Sequence, residues 1–285
     1  MWAIDTRFSL FVAVHALFAA IAWLSVTPPA SAAVKEVTFG VVPQQSAGEL
    51  ATRWVPVLRY LGDKADLHLS FKTARDIPTF ERRLAAGEYD IAYMNPYHYT
   101  VFHERPGYRV FAKEAEKQLI GILVVRQDSP LRDIGQLNGV ELAFPAPAAF
   151  AATVLPRARL AKLGIAVQPR FVGSHKSVYL GVAEGLFAAG TGIMRTFDML
   201  PPAQRSKLRI LWKTPAYTPH AFAYRPQVSL AFVARLERAM FEMHTSEKGR
   251  LLLDGVGLRG IVSATDKEYD PIRQLDIKLL DRIGN

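Results

Sequence analysis

Five short stretches of this 285-residue chain hold the side chains best suited to gripping a small molecule. Pro43-Gln44-Gln45-Ser46 offers two amides. Tyr93-Met94-Asn95-Pro96-Tyr97-His98 offers an amide, an imidazole and phenols. Gly173-Ser174-His175-Lys176 and Met194-Arg195-Thr196 add an imidazole and two cations. The fifth, FPAPAAFAATVLP (144–156), carries no polar side chain but Thr153. Amides, imidazoles and cations at helix starts are the makings of an anion seat, because unpaired helix N–H groups and the positive helix end point the same way.

The same residues make poor catalysts. No G-x-S-x-G nucleophile turn occurs and no H-E-x-x-H zinc helix; His98 and His103 are five apart, off one helical face. The chain has no cysteine, hence no thiolate metal site, no disulfide and no lipid-modified N-terminal Cys. A metal could gather His98, His175 and His220 from separate loops, but nothing in the sequence demands it. GVGLRG (255–260) fits a dinucleotide pattern formally, yet it follows the helical run GRLLLDG rather than a strand, so it is assigned to a helix C-cap and turn. The expectation is a binding protein, not an enzyme, with no cofactor and no metal.

The five stretches sit between alternating strands and helices. EVTFGVV (36–42) is a β-branched strand ending at Pro43. Ser46 to Glu49 opens a helix as a capping box, with Leu50, Trp54, Leu58 and Leu61 as its apolar stripe and Gly62 as its stop. LHLSFK (67–72) is a strand, Asp76-Ile77-Pro78 starts a helix that Gly87 stops, and YDIAYM (89–94) is the third strand. The rhythm resumes with strands 119–125 and 140–144, helix 154–164, strand 167–173, helix 176–185 and strands 188–194 and 209–214. Such alternation means mostly parallel sheets with helices on both faces, whose ligands bind at the carboxyl ends of the strands. All five stretches lie there.

Half of the residues are apolar and the formal net charge is +9. The charges are scattered, which favours a solvated basic surface over nucleic-acid binding. Arg7, the apolar run 8–26 and the exit Ala30-Ser31-Ala32-Ala33 read as an export signal cleaved near Ala32 or Ala33; an uncleaved anchor is the alternative. The mature chain is expected in the periplasm, without stable membrane insertion.

At these loops the sequence resembles the phosphate, phosphite and phosphonate type of periplasmic solute-binding protein that serves ABC transporters. FGVVPQQ resembles that family's first strand and ligand loop, GEYDIAYMNPYHY its Gly-x-x-Asp-Ile-Ala strand, VVRQDSPLRDIGQLNGVELAF the entry to its second lobe, and GSHKSVYLGVAEGLFAAG its Gly-Ser-His-Asp segment. The resemblance implies an α/β, two-lobed periplasmic binding protein fold (type II-like). Lobe 1 would comprise 34–118 and 220–285 and lobe 2 would comprise 119–219, after a signal peptide at 1–33. It implies capture of a small phosphonate-, phosphate- or phosphite-like anion for a permease partner. The alternatives are a sensory module feeding a membrane histidine kinase and, last, an enzyme on the same fold.

Two departures stand out. The family reads Phe-x-Asp-Pro-x-Ser-Thr-Ser-Gly and, three residues later, Pro; aligned from Phe144 to Pro156, the Asp becomes Ala146 and the hydroxyl run becomes Ala149-Phe150-Ala151-Ala152. Each hydrogen bond to a charged group contributes roughly 1.5–3 kcal/mol, so a phosphoryl cradle of the usual design is weakened here. Ligand contact must come from backbone N–H groups at Ala149, Phe150 and Ala151, with Phe150 as an apolar wall. The second departure is Lys176, where the family commonly has Asp. The expected ligand contacts are therefore Gln44, Gln45, Tyr93, Asn95, Tyr97, His98, Ala149, Phe150, Ala151, His175, Lys176 and Arg195, with His175 foremost.

Overall fold

A computed structural model describes residues 36–115 and 118–280; the export signal expected at 1–33 lies outside them. The first strand, β1 (Val37–Val41), buries Val37, Phe39 and Val41. Ser46 then caps α1 (Ala47–Ala65), accepting from the Glu49 N–H, and donates its hydroxyl to the Glu49 carboxylate at 2.9 Å. The helix passes Gly62 and ends at Asp66, in the left-handed region at φ 52. Gly62 serves a close approach instead of a stop: a Cβ there would lie 2.7 Å from the Leu67 carbonyl oxygen.

After β2 (Leu69–Lys72), Asp76 caps α2 (Ile77–Ala85) through the Thr79 N–H at 2.8 Å. Then come β3 (Ile91–Met94), α3 (Pro96–Glu104) and β4 (Arg109–Glu114). The aromatic turn of the sequence reading is the first part of α3. That helix buries Tyr97, His98, Tyr99, Thr100 and Phe102, so it shows no one-sided apolar stripe.

The chain continues through β5 (Leu119–Arg126), β6 (Glu141–Phe144), a π-helical turn (Phe150–Val154), α4 (Leu155–Lys162) and β7 (Gln168–Phe171). It proceeds to α5 (His175–Ala183), β8 (Ala189–Ile193), α6 (Met194–Asp198), β9 (Leu208–Tyr217), β10 (Ala221–Tyr224) and β11 (Ile261–Ser263), the last after helices at Leu230–Glu242 and Glu247–Gly255. Gly257, with φ +75, follows the second of these, as a helix C-cap and turn require.

The strands form two sheets, ordered β11-β4-β10-β3-β1-β2 and β7-β6-β8-β5-β9. Each is mixed. The strand–helix units give parallel pairs, β1 with β2 and β3, and β6 with β7 and β8. Antiparallel pairs arise where the chain changes sheet: β10 lies against β3 and β4, and β5 against β8 and β9. The crossings fall between Glu114 and Leu119 and between Tyr217 and Ala221. This is the two-lobed α/β fold with helices on both sheet faces.

In the second sheet, alternate residues of β5 serve two cores. Ile122 and Val124 pack with Val178, Tyr179 and Val182 of α5, while Leu123 and Val125 pack with Leu137, Phe144 and Leu160, as side-chain alternation along a strand dictates. The alanine-rich segment belongs elsewhere. Ala146 and Ala148 to Ala152 join the apolar cluster that also holds Phe39, Trp54 and Tyr93 of the first lobe, so this segment forms part of the contact between lobes.

Candidate functional site

The loops at the strand ends meet around a small cavity with buried walls. Val42, Gln44, Asn95 and His220 line it from the first lobe together with Ile77; Leu119, Ala149 to Ala152, His175 and Ile193 line it from the second. Its volume, about 10 Å³ open to the centre of a water molecule, is room for about one water. All four polar residues on the wall are buried.

Local sequence places each of them. Asn95 is the N-cap of α3, accepting from the His98 N–H at 2.8 Å, and Pro96 supplies the preset first-turn φ. Ser174 caps α5 by accepting from the Ser177 N–H at 3.1 Å, which puts His175 in the first turn. His220 ends the second crossing, just before β10.

The alanine segment reaches the cavity because of Gly121 on β5: a Cβ there would lie 1.9 Å from the Ala151 carbonyl oxygen. Its π-helical turn has no side-chain cap, and the first-turn N–H groups of a helix have no intrahelical acceptor. The Thr153 hydroxyl is buried, has no hydrogen-bond partner among the described residues and is not on the cavity wall.

A hydrogen-bond relay ties the two lobes together at the cavity edge. Arg195, in α6, donates one guanidinium N–H to the Gln44 side-chain oxygen and another to the Val256 carbonyl at 3.1 Å. The Gln44 side-chain nitrogen lies 3.0 Å from His220 Nε2. The two ends of the relay also flank Tyr93: the Arg195 guanidinium sits 5.5 Å from its ring centre, and His220 stacks on it at 5.2 Å. Tyr179 fixes the origin of Arg195, its hydroxyl accepting from the Ile193 N–H at 3.0 Å and lying 3.0 Å from the Thr196 hydroxyl.

Burial dominates the ionisation of this site. It pushes the His175 imidazole down to about 3, with the Arg195 charge adding to the effect. His220 is driven well below its ordinary value by burial and then by Arg195, His175 and His98. Burial raises the Tyr93 phenol to about 12 against the opposing pull of Arg195. Both histidines on the wall are therefore neutral imidazoles at neutral pH. His175 Nδ1 is buried with no hydrogen-bond partner among the described residues.

Of the residues expected to touch ligand, Gln44, Asn95, Ala149, Phe150, Ala151 and His175 come together on the wall. Gln45, Tyr93, Tyr97, His98, Lys176 and Arg195 are not on it. Tyr93 and Arg195 stand directly behind, in the relay. His98 packs away from the wall, its ring 2.9 Å from Glu81, and the Tyr97 hydroxyl donates to the Ile277 carbonyl at 3.1 Å. Lys176 reaches across to the other lobe, where its ammonium lies 2.5 Å from the Glu49 carboxylate. The wall residues not singled out beforehand are Val42, Ile77, Leu119, Ala152 and Ile193. All but Ala152 are apolar residues at or near element ends, where sequence gives no sign of ligand contact. Among the described residues no cluster of His, Asp and Glu is arranged to hold a metal.

A buried seat at the facing strand ends of two α/β lobes defines a two-lobed solute-binding protein. The family profile described as ABC transporter, phosphonate, periplasmic substrate-binding protein matches residues 39–269. The chain belongs to that family, whose members are periplasmic and bind substrate for ABC transporters. It is 22% identical over 272 residues to the phosphate-import protein PhnD of Mycolicibacterium smegmatis, covering 84% of each chain. It is also 22% identical to the phosphonates-binding periplasmic protein of Escherichia coli, over 85% of this chain and 76% of that one. The solved structure of PhnD1 from Prochlorococcus marinus in complex with methylphosphonate superposes with a TM-score of 0.78 at 18% identity, over 86% of this chain and 98% of the other. No helix among the described residues is long and apolar enough to cross a membrane.

Proposed function

We propose that this chain is exported and captures a small anion of the phosphonate, phosphate or phosphite class between its two lobes, handing it to the permease of an ABC transporter. One observation carries the reading. Gln44, Asn95, His175 and His220 converge with the uncapped start of the π-helical turn on a single buried cavity at the strand ends. Hydrogen-bond donors gathered in a buried site hold an oxyanion more strongly than they would in water.

The names of the relatives support the class: one imports phosphate, one binds phosphonates and one is complexed with methylphosphonate. An import protein and a periplasmic binding protein among them favour transport over both alternatives. We take the lobes as 34–118 with 220–285 and as 119–219, in keeping with the sheet to which each strand belongs.

A thermal-shift screen with phosphate, phosphite, phosphonates, sulfur oxyanions and small carboxylates tests the function, since a ligand that binds only the folded state raises its stability. An anion is expected to raise Tm, and His175→Ala to remove most of that shift. A response confined to neutral or cationic compounds would overturn the anion reading.

A further inference from the structure

The cavity wall bears neutral donors but no charged side chain. We propose that it selects a singly charged oxyanion of about methanesulfonate size over a doubly charged one of the same shape. This deepens the proposed function and rests on the reading that the cavity takes an anion.

The two nearby cations are already engaged by protein groups. Lys176 is paired with Glu49. Arg195 serves the Val256 carbonyl, the Gln44 side-chain oxygen and the face of Tyr93.

The relay also fixes a proton. Arg195 can only donate, so the Gln44 oxygen must accept and the Gln44 nitrogen must donate. The ring nitrogen it meets, His220 Nε2 at 3.0 Å, is therefore the acceptor. The proton of the neutral ring is left on Nδ1. Arg195 thus acts on the cavity through a neutral amide and a neutral imidazole, as a single positive charge felt at one remove.

The opposite wall adds no compensation. Ala151 and Ala152 bring methyls and first-turn N–H groups of the π-helical turn, while Ala149, whose N–H is spent on the Ala146 carbonyl at 3.3 Å, brings only its methyl and Phe150 its ring. Behind Tyr93 the charge of Glu114 acts in the unfavourable sense, raising the phenol further. A buried ion needs both hydrogen bonds and compensating charge. One negative charge is matched by the relayed Arg195; a second has no counterpart on the wall. With room for about one water, the cavity admits even a small anion only once its walls move apart.

Methanesulfonate and methylphosphonate decide the matter, because each is a methyl group on a three-oxygen head. At about pH 9, above the second ionisation of a phosphonate, the first carries one charge and the second two. Titration calorimetry on the purified protein is expected to show methanesulfonate binding at least about tenfold more tightly, a gap of about 1.4 kcal/mol. An Ala149→Ser/Ala151→Ser double variant, returning hydroxyls to the wall, is expected to narrow that gap by improving methylphosphonate binding. Equal or tighter binding of methylphosphonate by the unaltered protein overturns the charge selection and leaves the solute-binding function standing. Binding of neither anion also overturns the selection, and the thermal-shift screen with phosphate and phosphite then decides separately whether the anion reading stands. The comparison in the unaltered protein is decisive even if the double variant fails to fold.

Discussion

Across the cavity, the first lobe presents the polar ends of Gln44, Asn95 and His220, whereas the second presents Ala149 to Ala152, Ile193 and one polar ring, that of His175. The first side is held by hydrogen bonds: Asn95 to the His98 N–H, Gln44 to His220 and to Arg195. The second side is held by packing, with Phe150 set edge-on to Tyr217 at 5.2 Å and the Ala151 backbone seated against Gly121. Hydrogen bonds fix the direction of a donor, and packing fixes the shape of a surface. A ligand between them would be oriented by one lobe and fitted by the other.

The strongest blow to the packed side is Phe150→Ala. The ring is 1% exposed, and removing a buried Phe costs about 3–5 kcal/mol. Urea unfolding should show a loss of that size, with Phe150→Leu losing clearly less because it refills most of the volume. If Phe150→Ala cost under about 1 kcal/mol, the second wall would not be held by packing, and the contrast between the two sides would fail.

Acid strikes both sides through their histidines, and its sign can be worked out. Burial pushes His175 down to about 3 in the folded protein from its ordinary 6.5 in the unfolded chain; His220 is lowered in the same direction. Between those values the unfolded chain binds more protons, so stability is complete above about pH 6.5 and drains away as pH falls. At pH 5, one and a half pH units below the unfolded value, His175 alone should cost about 2 kcal/mol. The lowered carboxylates, Glu49 and Asp266 among them, lose their contribution only below their own unfolded values, so above about pH 5 the histidines act alone. Unfolding free energies measured from pH 7.5 to 5 should slope downwards, and His175→Asn should flatten the slope. A flat profile in the unaltered protein would mean the rings are not buried as neutral imidazoles.

How much of this was legible in the sequence depended on whether the signal was local. Ser46 with Glu49, Asp76 with Pro78 and Asn95 with Pro96 announce helix starts within four residues, and all three cap as expected. From their places at strand ends, Gln44, Asn95 and His175 could be assigned to one neighbourhood. Three things could not be seen. Helix α3 is buried on every side, so its periodicity is erased. The π-helical turn before α4 inserts a register change that no apolar spacing records. Lys176 and Arg195, read as ligand cations, are joined to protein partners 127 and 151 residues away, and a charge in a sequence does not name its partner.

Lys176 gives the smallest effect and the sharpest test of what joins the two sides. Burial raises the Glu49 carboxyl, but hydrogen bonds from Lys176 and Ser46 outweigh it and hold it below the usual range. The two side chains remain about one-third exposed, at 31% and 36%, so water and salt screen the pair to less than about 1 kcal/mol. Lys176→Met should therefore lower stability by under that amount, and the loss should shrink further at high salt. Because Lys176 is off the cavity wall and already paired, the variant should change affinity for any bound anion by less than about threefold, some 0.6 kcal/mol. Loss of affinity beyond about tenfold would make Lys176 a ligand contact, adding a cation to the lobe here described as apolar. The asymmetry between the lobes would then belong to this arrangement of side chains alone, since the ammonium would have to leave Glu49 to reach the anion.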